Sequence, residues 1–376
     1  MHNFTHLFIS KIMNKKICVY TIAKNEMKFI DRWYNSIKDA DYICVLDTGS
    51  TDGSFQKFKD LGIIVEQKTY ENFRFDEARN DSMKLIPDDA EICVSIDLDE
   101  YFEPGWTTFL KDKWGENIGR ARYRYTWNFN PDGSEGIVFM ADKIHKNKAY
   151  KWKNAVHEVL VPTTDQDLKI IDIPNIQLNH KADNTKSRAS YLPLLEMSVK
   201  ENPYDDRNTH YLAREYMFHK EYDKAIEMFF RHLSLPTARW DIERASSLRY
   251  IANCYKHKGD KKRQEDYLML AVLESDYVRE PYFELAIFYF EDKQFLKSAF
   301  TLNEMLKIKD KQINYMSNPA CWGSLPYDYL SMCYYEIGDY KRAIISVEKA
   351  IELDPNEDRL KDNLKIFLNL LNDSQH

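Results

Sequence analysis

Four windows in the C-terminal half of the sequence share one small/large grammar, which fixes the kind of fold available there. Tyr211-Leu212-Ala213-Arg214-Glu215-Tyr216, Tyr250-Ile251-Ala252-Asn253-Cys254-Tyr255, Phe283-Glu284-Leu285-Ala286-Ile287-Phe288-Tyr289 and Tyr329-Leu330-Ser331-Met332-Cys333-Tyr334 each place a small residue three before a tyrosine. Six residues after the tyrosine stand Tyr222, Lys261, Phe295 and Tyr340, and three further on Ala225, Gln264, Ser298 and Ala343. Small residues at such offsets let two helices of a pair approach closely. One pair cannot bury its apolar face alone, so successive pairs must stack. Residues 201–376 therefore read as an all-α array of paired helices. Its best unit runs from Gly338 to Asn356, and the unit with Lys261 and Gln264 departs most from the pattern. An insertion with Asn318-Pro319 and Trp322-Gly323 separates the last two units, and Asp358 to Leu371 reads as a closing helix. The tyrosine stripe reads mostly as core. The array has no chemistry of its own; it would hold a peptide in its concave face or dimerise the protein.

The N-terminal half follows a different rule. Apolar runs at residues 16–23, 42–46, 62–66 and 92–96 alternate with helical patterns, the first through Phe29, Ile30, Trp33 and Ile37. Strands alternating with helices imply a parallel sheet with right-handed crossovers. Polar residues collect where these strands end: Asn25 and Glu26, Asp47, then Asp97 and Asp99. Ligands of open α/β sheets sit at such tips, and clustered carboxylates suit a hard divalent cation carried with a diphosphate. Ser50 or Thr51 is placed to cap the next helix. Residues 121–130 and the run from Ile137 read as a hairpin forming a wall beside the crevice.

The 376 residues suffice for two cores. The formal charge of −7 argues against a broad grip on nucleic acid. Six cysteines without C-x-x-C spacing favour a reduced, cytoplasmic setting. Lys11 interrupts Leu7-Phe8-Ile9 and no small-residue cleavage site follows, so this start does not read as a signal peptide. No stretch is long enough to span a bilayer.

Ala23-Lys24-Asn25-Glu26, Asp47-Thr48-Gly49-Ser50-Thr51-Asp52-Gly53, Ala78-Arg79-Asn80 and Asp97-Leu98-Asp99-Glu100, in this order and spacing, resemble the family 2 glycosyltransferases of the GT-A fold. The resemblance covers residues 16–185. It implies a nucleotide-sugar, most often a UDP-sugar, lying across the strand tips. Ala23, Asn25 and Glu26 would line the nucleoside, and Asp47 would bond the base or ribose beside Ser50. Arg79 would reach the base or diphosphate, unless it is a surface ion pair with Asp76 or Glu77. Asp97, Leu98 and Asp99 would form the D-x-D segment, with Asp99 the direct ligand of Mn²⁺ or Mg²⁺ and Asp97 beside it. His180 would complete the metal shell; its alternative is a solvent-exposed linker histidine. The segment Trp152 to Glu158 resembles a tryptophan-to-VHE stretch of a branch of this family. Trp152 would be an aromatic platform, Glu158 the catalytic base of an inverting reaction and His157 the catalytic-site residue that orients Glu158 or contacts phosphate, with Glu100 as the other candidate base.

The helical array resembles the tetratricopeptide class, and the order transferase-then-repeats resembles the sublancin-type peptide glycosyltransferases. The expected layout is an extension over residues 1–15, a GT-A domain over 16–185, a linker helix over 186–200 and the array over 201–376. The expected activity is metal-dependent hexosyl transfer to a peptide or protein side chain or a saccharide hydroxyl. A repeat scaffold with a non-catalytic nucleotide-binding domain, and a sugar nucleotidyltransferase, are the alternatives.

Overall fold

A computed structural model describes residues 15–182 and 191–373. The expected N-terminal extension and the first half of the expected linker helix fall largely outside these residues. The chain divides into two compact units, Met1–Ser198 and Val199–His376.

The first unit is built on one mixed sheet. Strands β1 (Ile17–Ala23), β2 (Tyr42–Asp47), β3 (Ile64–Gln67) and β4 (Ile92–Ser95) run parallel in the order β3-β2-β1-β4. Beyond β4 the sheet continues through β7 (Val138–Lys146), β6 (Ile118–Thr126), β10 (Lys169–His180) and β5 (Glu100–Phe102). Here β7 is antiparallel to both β4 and β6, β10 runs parallel to β6, and β5 is antiparallel to β10. Strands β8 (Tyr150–Lys153) and β9 (Val159–Pro162) form a separate antiparallel pair.

The central strands are apolar on both faces, as a covered parallel sheet requires. Ile17, Val19, Ile92 and Val94 join one core, with Ile30 and Trp33 of helix α1 (Met27–Ile37) and Phe58 of α2 (Ser54–Asp60). Their neighbours Cys18, Tyr20 and Cys93 point the other way, into a second core with Trp152 and Leu160. Phe29, Ile30, Trp33 and Ile37 are all buried on α1, as their spacing predicts. Helix α3 (Phe75–Met83) precedes β4, and α4 (Trp106–Lys113) follows β5.

The expected cap at Ser50 or Thr51 is corrected. Helix α2 starts at Ser54 behind Gly53, whose φ of +93° is left-handed. A Cβ there would sit 3.0 Å from Met27 Cε in a conformation that disfavours side chains, so glycine fills the position.

Helix α5 (Tyr191–Glu201) precedes four helix pairs: α6 (Asp206–Phe218) with α7 (Tyr222–Ser234), α8 (Asp241–His257) with α9 (Lys261–Glu274), α10 (Arg279–Glu291) with α11 (Phe295–Lys307), and α12 (Leu325–Glu336) with α13 (Tyr340–Leu353). Helix α14 (Asp358–Asp373) closes the array through buried Leu360 and Phe367. Each second helix begins at the residue the repeat marks: Tyr222, Lys261, Phe295 and Tyr340. The small positions Ala213, Ala225, Ala252, Ala286, Ser298, Ser331 and Ala343 are all buried, as is Gln264 of the divergent unit. Tyr255, Tyr289 and Tyr334 are buried as core residues. The insertion is folded onto the array by Arg279, which donates to the carbonyls of Ile308 and Cys321 and lies 3.8 Å from the Trp322 ring centroid.

Candidate functional site

The β1–α1 and β2–α2 turns are laced together. Asn25 sits at φ +57° and donates its backbone N–H to Ser50 Oγ at 2.8 Å, while its Oδ1 accepts from Thr51 N at 2.8 Å. Glu26 N donates to Ser54 Oγ and Met27 N to Asp52 Oδ2. A non-glycine residue held left-handed is costly and persists where the surroundings over-determine it. Ser50 thus braces the turn at Asn25. The Ala23 carbonyl accepts from Thr48 N and Oγ1, and its side chain lies in the core.

Asp47, expected to face a base or ribose, has no solvent exposure. Its Oδ1 accepts from Gly49 N, Ser50 N and Gln67 Nε2 at 2.9, 2.7 and 2.9 Å. The carboxylate therefore holds the turn. Its Oδ2 is buried without a donor, at a cost of about 1–3 kcal/mol.

The densest chemistry surrounds Arg79 on α3, which is 4 % exposed. Its Nε donates to Glu158 Oε1 at 2.5 Å, Nη1 to Ser95 Oγ at 3.2 Å and Nη2 to Asp97 Oδ1 at 2.7 Å. The alternative of a surface ion pair with Asp76 or Glu77 is overturned: Arg74 takes both those carboxylates. Asp97, expected beside Asp99 on a metal, is instead held between Arg79 and Lys143, whose Nζ lies 2.9 Å from Oδ2. Burial alone would push the Asp97 carboxyl up, but Arg79 and Lys143 hold it well below the usual carboxylate range.

Glu100, the second candidate base, is 2 % exposed and accepts from Asp97 N and Tyr125 OH at 2.8 Å each. Burial pushes its pKa up, Lys143 opposing and Asp97 adding. It is a brace inside the strand tip. Leu98, expected to line the donor, packs in the main core.

Trp152 is corrected from an open platform to a buried support, 4 % exposed. Asn80 clamps its backbone in both directions, accepting from Trp152 N at 2.8 Å and donating to Trp152 O at 2.9 Å. The indole lies 5.1 Å from the Arg79 guanidinium and donates to Tyr20 OH at 2.8 Å, which in turn meets His145 Nε2 at 2.8 Å. His157 is left-handed at φ +51°, with its ring 5.9 Å from that of Tyr191. Glu158 follows it, pinned by Arg79.

Fully buried His145 stays neutral, because burial lowers its pKa to about 4. The unfolded chain takes up that proton near 6.5. Stability from this group is thus complete above about 6.5 and falls by about 3 kcal/mol as pH drops to 4. His145→Gln is expected to flatten that part of the acid limb in urea unfolding; an unchanged pH slope would refute the assignment.

Among the described residues no three carboxylate, imidazole or thiol groups meet as a metal-holding set. Two of the expected ligands do meet: Asp99 Oδ2 lies 3.4 Å from His180 Nε2. His180 is 8 % exposed, not a linker histidine in solvent. Its Nδ1 lies 2.8 Å from the Trp127 carbonyl oxygen, a contact that requires the proton on Nδ1. That arrangement is how protein frames orient metal-bound imidazoles. One carboxylate and one imidazole, completed by diphosphate oxygens, fit a Mn²⁺ or Mg²⁺ site.

Sequence reasoning missed Lys143 and Trp127, and named Asn80 in a motif without a role of its own. Lys143 had a signal: a lysine within a strand at the centre of a sheet must find a carboxylate. Trp127, 41 % exposed with its ring 4.5 Å from His180, is the open aromatic surface beside the Asp99 pair.

The family model of the prolyl 4-hydroxylase peptide-substrate-binding domain matches residues 280–373, about a quarter of the chain. The C-terminal repeats are of tetratricopeptide type. No curated protein matches the chain. Similar solved structures include MamA from Desulfovibrio magneticus RS-1, with 15% identity over 45% of this chain and 87% of that one and a TM-score of 0.35. The tetratricopeptide protein TTC0263 of Thermus thermophilus is 19% identical over 47% of this chain and 88% of its own, with a TM-score of 0.31. The Cut9–Hcn1 assembly of the APC/C is 16% identical over 48% of this chain, with a TM-score of 0.36; the match spans 33% of its length. No helix among the described residues is long and apolar enough to cross a membrane.

Proposed function

We propose that the first unit is a GT-A-like, family 2-type glycosyltransferase that moves a hexosyl group from a UDP-sugar in the presence of Mn²⁺ or Mg²⁺, and that the tetratricopeptide array holds a peptide or protein acceptor. The observation that carries this reading is the meeting of Asp99 and His180 at the tip of the sheet, with the imidazole oriented by the Trp127 carbonyl. A bound cation would neutralise the diphosphate as it leaves. Arg79 fixes Glu158 through Oε1, which leaves Oε2 to take the proton of the acceptor hydroxyl or thiol as it attacks the anomeric carbon. The bond from that carbon to the diphosphate breaks, and its electron pair leaves with UDP. A reduced, cytoplasmic setting agrees with cysteines that are all free and buried.

The rival is a repeat scaffold whose first unit binds nucleotide without turnover. What favours it is the same Arg79 contact, because it leaves Glu158 only one open oxygen. Incubation with a panel of UDP-sugars and Mn²⁺ separates the two. Slow release of UDP from at least one donor, dependent on the metal, is the expected result. A stabilising shift in melting temperature without release from any donor would favour the scaffold, and no shift with any nucleotide would refute both.

A further inference from the structure

On α6, Arg207, Tyr211, Arg214 and Phe218 share one helix face. The Tyr211 ring lies 5.5 Å from the Arg207 guanidinium and 5.3 Å from that of Arg214. Arg214 also lies 5.8 Å from the Phe218 ring and 5.6 Å from that of Tyr250 on α8. Three aromatic rings thus flank one guanidinium. Its Nε is buried without a hydrogen-bond partner, and among the described residues no carboxylate lies within ion-pair distance of it. Among the other arginines of the array, Arg244 faces Glu274, Arg249 Glu284, Arg342 Asp339 and Arg359 Asp328, while Arg231, Arg239 and Arg279 donate to backbone carbonyls. A half-buried, unmatched guanidinium is unfavourable on its own and becomes favourable when a carboxylate arrives.

We propose that Arg214 receives the carboxylate of an acidic residue in a peptide docked on this face of the array. The rings favour a peptide over a small anion. Phe218 is 57 % exposed, and Tyr211 and Tyr250 are half-buried, so the site offers apolar contact that only a chain with a backbone and neighbouring side chains can use. Flanking rings also limit the rotamers of Arg214, so little freedom is lost on binding. The inference rests on the reading of the array as a peptide holder and not on sugar transfer.

The test uses the full chain, without nucleotide, on immobilised nine-residue peptide pools that differ only in a fixed central glutamate or glutamine. The wild type is expected to be retained about five-fold more by the glutamate pool. Arg214→Gln should lose that preference, and Arg214→Lys should keep part of it because the charge remains without the fork. Phe218→Ala, at an exposed position, should weaken retention about three-fold and guards against a misfolded Arg214 variant. Equal retention of the two pools by the wild type, or an undiminished preference in Arg214→Gln, would overturn the proposal. Displacement of the glutamate pool by inorganic phosphate as readily as by free glutamate-pool peptide would overturn it too, as the mark of a simple anion hole. Because retention is read without a donor sugar, its failure is distinct from a failure to release UDP.

Discussion

Arg79→Leu is expected to destabilise the first unit by about 2–3 kcal/mol at neutral pH, because it takes the cation from Glu158 and one of two cations from the partly exposed Asp97. Asp97 and Glu158 both take hydrogen bonds from this one guanidinium. Lys143 remains for Asp97, but Glu158 has no second cation among the described residues. The pH dependence has a definite sign. In the wild type the folded Asp97 pKa is depressed. Its contribution is therefore present above the ordinary carboxylate value near 4 and is lost only as pH falls through the lower folded value. In the variant one of its two cations is gone and the folded pKa rises towards the ordinary value, so the deficit should shrink as pH falls below about 4. Urea unfolding followed by tryptophan fluorescence reads this, since Trp33, Trp106, Trp114, Trp127 and Trp152 lie in the first unit. A loss under about 1 kcal/mol, or one that stays constant between about pH 5 and 3, would show that Arg79 does not hold these two carboxylates.

Asp99→Asn should leave the fold intact and remove the response to metal. The Asp99 backbone carbonyl, which accepts from Lys181 N at 2.9 Å and Arg32 Nη2 at 3.2 Å, is untouched by the change. The amide, however, is a poor ligand for a hard cation. The Mn²⁺-dependent part of any thermal shift with UDP-sugars is expected to vanish, and metal-dependent UDP release to fall by about two to three orders of magnitude. His180→Gln should act in the same direction. A Mn²⁺-dependent shift that survives Asp99→Asn would remove the cation from this strand tip.

Legibility from the sequence followed the range of the interactions. The helix pairs were readable because small residues at fixed offsets act within about one repeat, and all four second helices begin where Tyr222, Lys261, Phe295 and Tyr340 stand. The parallel strands β1, β2 and β4 were readable as apolar runs. The pairing of β6 with β10, as in Tyr123 with Ile173, was not, because no local pattern specifies a partner so far along the chain. The acids of the site were visible as strand-tip residues. Which of them meet a cation is settled only by packing: Arg79 turns inward to Asp97 and Glu158 because Asn80 and Trp152 anchor the helix and strand on either side. The glycine start of α2 went unseen because Ser50 and Thr51 are engaged with Asn25 of the neighbouring turn and do not cap the helix.

The outermost strands of the mixed sheet are also among its shortest. β3 has 4 residues and β5 has 3, whereas the inner strands β6 and β10 have 9 and 12. Strand β5 covers only Leu178, Asn179 and His180 of β10, so residues 169–177 of β10 have no strand beside them on that side among the described residues. Pro174 and the register shift between Ile173 and Gln177 interrupt this stretch and blunt it as a template for strand addition. Pro174→Val should therefore make concentrated samples more prone to fibril growth.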